Sequence, residues 1–178
     1  IKSIPAFIVA VVQLVWIWHT HNVWSRRFGL DTTYTVVLSA GLLIVVLIYV
    51  YPMRIMAGGM FSWFTGGYLP SNFAIQALSE LRFMFIFLGV GFVALSLVFV
   101  LMYRYAATLG SELRLCDAEL YDSRPIQVLW FGAAVIGLLS FVLATLLPDP
   151  FVPWSGFVFA LLGPWFPMMR ARRMRNRP

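Results

Sequence analysis

An all-α bundle of membrane-spanning helices is the fold class this sequence predicts, and three observations predict it. The 178 residues are 61% hydrophobic and only 11% charged, where a soluble domain carries about 25% charged residues. The apolar residues gather into five runs, each near the roughly 20 residues that a helix needs to cross a hydrocarbon layer of about 30 Å. Basic residues flank those runs, where they act as topology signals. The net charge of +6 therefore does not mark a nucleic-acid binder. Five of the thirteen basic residues fall in the last nine positions, with no folded nucleic-acid module around them.

The first span covers about 4–24, with Pro5 suited to a first helical turn. The second covers about 32–53, with Asp31 or Thr32 as its N-cap. It is rich in β-branched residues (Val36, Val37, Ile44, Val45, Val46, Ile48, Val50), but its length favours a membrane helix over a strand. The third covers about 81–105, and Ser71 offers an earlier cap for a helix from Asn72 to Glu80. The fourth covers about 126–147, between Pro125 and Pro148. The fifth, about 152–169, is short, and Pro164 and Pro167 predict kinked last turns. The segment from Ala57 to Pro70 reads as an interfacial loop or short surface helix, because it is glycine-rich and carries Phe61, Trp63, Phe64 and Tyr68. The segment from Thr108 to Arg124 holds Glu112, Arg114, Asp117, Glu119, Asp122 and Arg124 and reads as a solvated extension of the third span. The whole is one transmembrane domain, 1–178, ending in a basic tail at 170–178, without internal repeats.

Orientation follows from the basic residues on each side. With the C-terminus cytoplasmic, that side holds Arg26, Arg27, Arg104, Arg114, Arg124, Arg170, Arg172, Arg173, Arg175 and Arg177, and the other holds Lys2, Arg54 and Arg82: ten against three. This is a positive-inside bias and predicts a multi-pass protein of a bacterial inner membrane. Five spans then leave Ile1 outside, and the expectation is a sixth span upstream.

Cofactor and metal chemistry are not expected. Cys116 is the one cysteine, and His19 and His21, two apart, lie on different helix faces. The polar groups within the spans are Gln13, His19, Thr20, Ser39, Ser96, Gln127, Ser140 and Thr145. None is a carboxylate or lysine, which weighs against a proton relay or charge-coupled transporter. No nucleophile motif, nucleotide loop, paired carboxylate or T-V-G-Y-G-type filter is present. His19, His21 and Arg26 are too few to define a reaction, so no enzyme is expected.

Three constellations remain. His19 and His21 sit among Trp16, Trp18 and Trp24, as part of an interfacial aromatic belt or as a polar cluster that joins helices. Two stripes of small residues, Ala133, Gly137, Ser140 and Ala144, then Gly156, Ala160 and Gly163, allow close helix approach, either within the chain or between copies. The tail arginines Arg170, Arg172, Arg173, Arg175 and Arg177 suit anionic lipid headgroups.

The stretch from Trp16 to Pro52 resembles two successive helices of the transmembrane-protein-175 family of potassium channels. The matching features are a Trp-x-x-His, read as Trp16–His19 or as Trp18–His21, then a basic loop with an acidic end, Ser25 to Asp31. Ile4–Phe7, Tyr49–Arg54, Glu80–Arg82 and Gly156–Pro164 look like a bacterial branch of the same family. The resemblance implies six spans with both ends cytoplasmic and a pore lined by the first helix, which carries an Arg-x-x-x-Phe-Ser-Asp motif that this sequence does not contain. It implies that Trp16 or Trp18, His19 or His21, and Ser39 hold that helix and are not ion ligands. Ser39 stands where the family often has Asn.

Two functions follow as expectations. One is an ion channel subunit, potassium-conducting, in a homo-oligomer. The other is a non-catalytic accessory subunit of a larger membrane complex. The lipid bilayer is the partner in both, and nucleic acid in neither.

Overall fold

The computed structural model describes residues 4–68, 78–109 and 117–175. Among these, all regular structure is helical: α1 (Ile4–Phe28), α2 (Thr33–Phe64), α3 (Leu78–Thr108), α4 (Asp117–Leu146), α5 (Pro153–Phe157) and α6 (Leu162–Arg175), with 3₁₀ turns at Asp149–Phe151 and Val158–Leu161. The expected Ser71 cap, Cys116, Glu112, Arg114, Lys2 and Arg177 lie outside the described residues, as do the side chains of Arg170 and Arg173. Among the described residues, five stretches are long and apolar enough to cross a membrane: Ile4–Phe28, Thr33–Ser62, Ser79–Thr108, Pro125–Leu146 and Asp149–Met169. The chain is a multi-pass α-helical membrane protein.

The α1–α2 corner is set by local chemistry. Gly29, at φ +56, ends α1 in the left-handed conformation that glycine adopts without penalty, and its N–H reaches the Ser25 carbonyl at 2.9 Å. Thr32 caps α2: its Oγ1 accepts the Thr35 N–H at 3.4 Å. The buried Thr35 hydroxyl donates to the Leu30 carbonyl at 2.8 Å and closes the turn.

Three expectations are corrected. First, 57–64 is not a loop. Helix α2 runs unbroken through Pro52 to Phe64, 32 residues or about 48 Å at 1.5 Å per residue, so its last turns extend beyond the hydrocarbon layer. Pro52 is buried and removes only the bond to the Ile48 carbonyl, a loss that membrane helices absorb by local adjustment. Second, the charged segment does not simply extend the third span. Residues 117–124 are the opening turns of α4, which passes through Pro125. Third, the fifth span breaks ahead of its prolines, not at its last turns. Pro164 has no N–H for the Ala160 carbonyl, and the Leu162 N–H reaches the Ala160 and Phe159 carbonyls in the 3₁₀ turn instead. Helix α6 continues through Pro167.

The core lies between α3 and α4, capped by α5 and α6. Leu95, Phe99, Met102, Ala106, Trp130, Ala133 and Ala144 are buried there. The two helices cross where glycine meets glycine. A Cβ on Gly89 would lie 3.0 Å from the Gly137 carbonyl oxygen and from the Phe141 backbone nitrogen, and one on Gly137 would lie 3.4 Å from the Gly89 oxygen. Lipid tails are as apolar as leucine, so association rests on such close packing and on interhelical hydrogen bonds.

Candidate functional site: the α1 seams

Helix α1 presents two faces, and they divide the expected polar cluster. On the α2 side, His21 Nε2 and Ser39 Oγ are hydrogen-bonded at 2.9 Å. Trp18 stacks on the His21 ring with centroids 5.7 Å apart and planes 23° apart. Trp24 lies 6.3 Å from the same ring on its other side. The aromatic chain continues from Trp24 to Phe28 at 5.7 Å and from Phe28 to Tyr103 of α3 at 6.0 Å.

On the opposite side, Trp16 and His19 face α4 and α6. Trp16 packs against Trp130 at 5.8 Å and edge-on to Phe166 at 5.4 Å, and Trp130 stacks on Phe99 at 4.3 Å. His19 is exposed and borders a cleft with Trp16, Trp130 and Phe166. The Trp-x-x-His pattern therefore occurs twice with different outcomes. Trp18–His21 meets Ser39, and Trp16–His19 borders the cleft. Trp16, Trp18, His19, His21 and Ser39 form two sites, because residues two apart on a helix point in different directions.

Two buried polar atoms have no hydrogen-bond partner among the described residues: Trp24 Nε1 in α1 and Ser96 Oγ in α3. Buried donors without partners are uncommon in native proteins. Trp24 is the more informative, because it adjoins the His21–Ser39 pair. The arrangement ties α1 to α2 by the His21–Ser39 bond and to α3 by the Phe28–Tyr103 ring contact. It offers a donor for a further acceptor and assembles no acid–base pair.

The small-residue stripes also separate. Ala133, Ser140 and Ala144 are fully buried inside this one bundle, and Gly137 meets α3 directly. Ser140 Oγ donates to the Ser155 carbonyl at 2.8 Å and fastens α5 to α4. In the second stripe, Gly156 lies under the Phe85 ring, while Ala160 is exposed and Gly163 faces open space. The 3₁₀ turn rotates these three off a common face. Arg172 and Arg175 of the tail are exposed.

The sequence reading missed two features. One is a set of aromatic rings seated over glycines. Tyr49 of α2 covers Gly91 of α3, where a Cβ would lie 2.6 Å from Tyr49 Cδ2. Trp165 of α6 covers Gly132 of α4 and donates from Nε1 to the Leu129 carbonyl at 3.0 Å. Phe85 of α3 covers Gly156 of α5. Isolated glycines within apolar runs were the available signal. The other is Arg82, whose guanidinium donates to the Ala144 carbonyl at 2.8 Å, Thr145 at 3.2 Å and Leu147 at 2.7 Å. It also pairs with Asp149 Oδ1 at 2.7 Å. One cation from the start of α3 thus satisfies carbonyls left open at the end of α4, where the helix dipole is negative.

The fold is shared with a multi-pass membrane protein of known structure. Over 98% of this chain and 79% of the other, it matches a variant of the potassium channel MtTMEM175 in complex with a nanobody–MBP fusion protein, with a TM-score of 0.83 at 24% sequence identity. In sequence, it is similar to a potassium channel of Marivirga tractuosa, 29% identical over 168 residues. That alignment covers 90% of this chain but 65% of the relative, so the chain spans about two thirds of the relative's length. No protein-family model matches the chain. Both are potassium channels, and the solved structure is of the family that the sequence resembles.

Proposed function

We propose that this chain is the membrane bundle of a potassium-conducting ion channel. It works as a homo-oligomer in a bacterial inner membrane, with its C-terminus in the cytoplasm. The observation that carries the reading is the identity to the Marivirga tractuosa potassium channel, which extends over 90% of this chain and is not confined to one motif. The shared fold supports it. In this reading α3 to α6 form a rigid support, and α1 and α2 present their outward apolar faces to the rest of the assembly. Trp18, His21 and Ser39 set the position of α1 on α2 and do not touch the ion. Arg172 and Arg175, with the rest of the tail, meet anionic headgroups on the cytoplasmic face.

Reconstitution of the full-length protein in liposomes tests the reading. The expected result is a cation flux that favours potassium, from a symmetric oligomer. A correctly assembled protein with no conductance, purifying at fixed stoichiometry with a different membrane protein, overturns it in favour of an accessory subunit. Labelling of single cysteines placed beyond Arg175 tests orientation: they react only from the cytoplasmic face.

A further inference from the structure

The stripe of α1 that meets α2 carries Gln13, Ile17 and His21 at intervals of four residues, so the three lie along one face. His21 bonds to Ser39, and Ile17 is buried. Gln13 is half-buried. It lies nine residues from the start of α1, about 13.5 Å of rise, which is close to half of the roughly 30 Å hydrocarbon layer. Its amide has no hydrogen-bond partner among the described residues. In a soluble protein, solvent would satisfy the exposed part of such a side chain. At this depth the surroundings are acyl chains, which offer no hydrogen bond, and an unpaired amide is strongly disfavoured there.

A second such group stands on the facing helix. Tyr49 of α2 is 4% exposed, with one edge of its ring over Gly91 of α3. Its hydroxyl also has no hydrogen-bond partner among the described residues, although a buried tyrosine hydroxyl usually finds one. Gln13 and Tyr49 line the same small cavity between α1 and α2. Its other lining side chains, among them Ile17 and Met53, are all apolar. The room inside is about 10 Å³, and a polar cavity begins to hold one water molecule at roughly 10–15 Å³. A space of this size excludes an acyl chain or a hydrated ion.

We propose that this cavity is a binding site for one ordered water molecule, which bridges the Gln13 amide to the Tyr49 hydroxyl. The water donates to Gln13 Oε1 and accepts the Tyr49 O–H, which meets the two partners that a buried water needs at the least. Such a bridge is nearly as favourable as a direct bond, and it lets the Tyr49 ring keep its seat on Gly91. It gives α1 a second polar tie to α2, eight residues and about 12 Å along the helix from the His21–Ser39 bond. One tie fixes a point of contact; two along one stripe also fix the angle between the helices. The site does not depend on ion conduction.

X-ray hydroxyl-radical footprinting of the full-length protein in lipid nanodiscs tests this, because a held water is ionised in place and oxygenates the side chains beside it. The expected result is oxygenation of Tyr49 and none of Phe92, which is as buried, at 5% exposure, and lines no part of the cavity. After mixing into water enriched in heavy oxygen, the heavy label should reach Tyr49 later than Tyr68, which is 73% exposed, since a held water exchanges more slowly than bulk. Gln13→Leu should abolish the oxygenation of Tyr49, and Gln13→Met, a side chain of similar length, serves if Gln13→Leu does not fold. An unmodified Tyr49 in the unaltered protein overturns the assignment: Gln13 then bonds to Tyr49 directly or to a group of another helix. Heavy label arriving at Tyr49 as fast as at Tyr68 overturns it in favour of bulk access. Undiminished oxygenation in a folded Gln13 variant overturns it as well.

Discussion

In α3 and α4, 44% and 39% of the residues in the most apolar stretch are buried inside the bundle; in α1 and α2 the share is 17% each. All four helices are long and apolar enough to span, so hydrophobicity does not explain the difference. Side-chain size does. The α3–α4 crossing carries Gly89 against Gly137, with Ala133, Ser140 and Ala144 buried along the same contact. The α2 helix instead turns Val36, Val37, Leu43, Ile44, Leu47 and Ile48 outward. Lipid solvates such a face at no cost, so the α1–α2 pair is held by a few specific contacts while α3–α4 is held by close packing. The first pair is suited to being met by something else, and the second to staying as it is.

The largest effect expected from a single change lies at the end of the tightly packed pair. Arg82→Ala leaves the Ala144, Thr145 and Leu147 carbonyls without their donor. Hydrogen bonds to a charged group are worth roughly 1.5–3 kcal/mol each, and partial exposure and access to water reduce the sum. A loss of about 3 kcal/mol is expected in reversible unfolding in mixed micelles. A loss below about 1 kcal/mol would mean that water caps α4 as well as Arg82 does. Gly89→Val comes next. Its first new carbon meets the backbone of α4, which cannot rotate away as a side chain can, and overpacking of this kind costs roughly 1–3 kcal/mol.

What could be read in the sequence follows the same division. Span number and the multi-pass class were legible, because length and polarity alone determine them; the α2 cap was narrowed to Asp31 or Thr32, and only the folded turn selects Thr32. The continuation of α2 past Pro52 was not, since the glycines and aromatics of 57–64 satisfy a loop rule and a membrane-interface rule equally well. Pro125 read as a start because proline favours a first turn, yet a helix whose opening turns lie outside the hydrocarbon layer tolerates it further in. The Arg82 contacts join residues more than sixty positions apart, and no local pattern encodes such a pairing. The two Trp-x-x-His registers were locally equivalent. Only the position of Ser39 on the neighbouring helix distinguishes His21 from His19.

Two smaller effects sharpen the comparison. Gly41 of α2 has open space where its Cβ would be. Gly41→Ala therefore adds helix propensity without collision and should stabilise by up to about 1 kcal/mol, opposite in sign to Gly89→Val. A destabilised Gly41→Ala variant would place an unseen neighbour against that face of α2.

The smallest expected effect is the most specific. A double-mutant cycle with His21→Ala and Ser39→Ala isolates the polar bond between them in the α1–α2 seam. Interhelical hydrogen bonds in membranes couple by about 0.6 kcal/mol on average, because the separated helices also find partners. A coupling near that value assigns the bond a modest positioning role. A coupling well above about 1.7 kcal/mol, the upper end measured for such pairs, would mean that losing it disturbs a larger network. Trp24, whose Nε1 is buried beside this pair without a partner among the described residues, is then its nearest member, and Trp24→Phe in the same background would show whether the extra energy passes through that nitrogen.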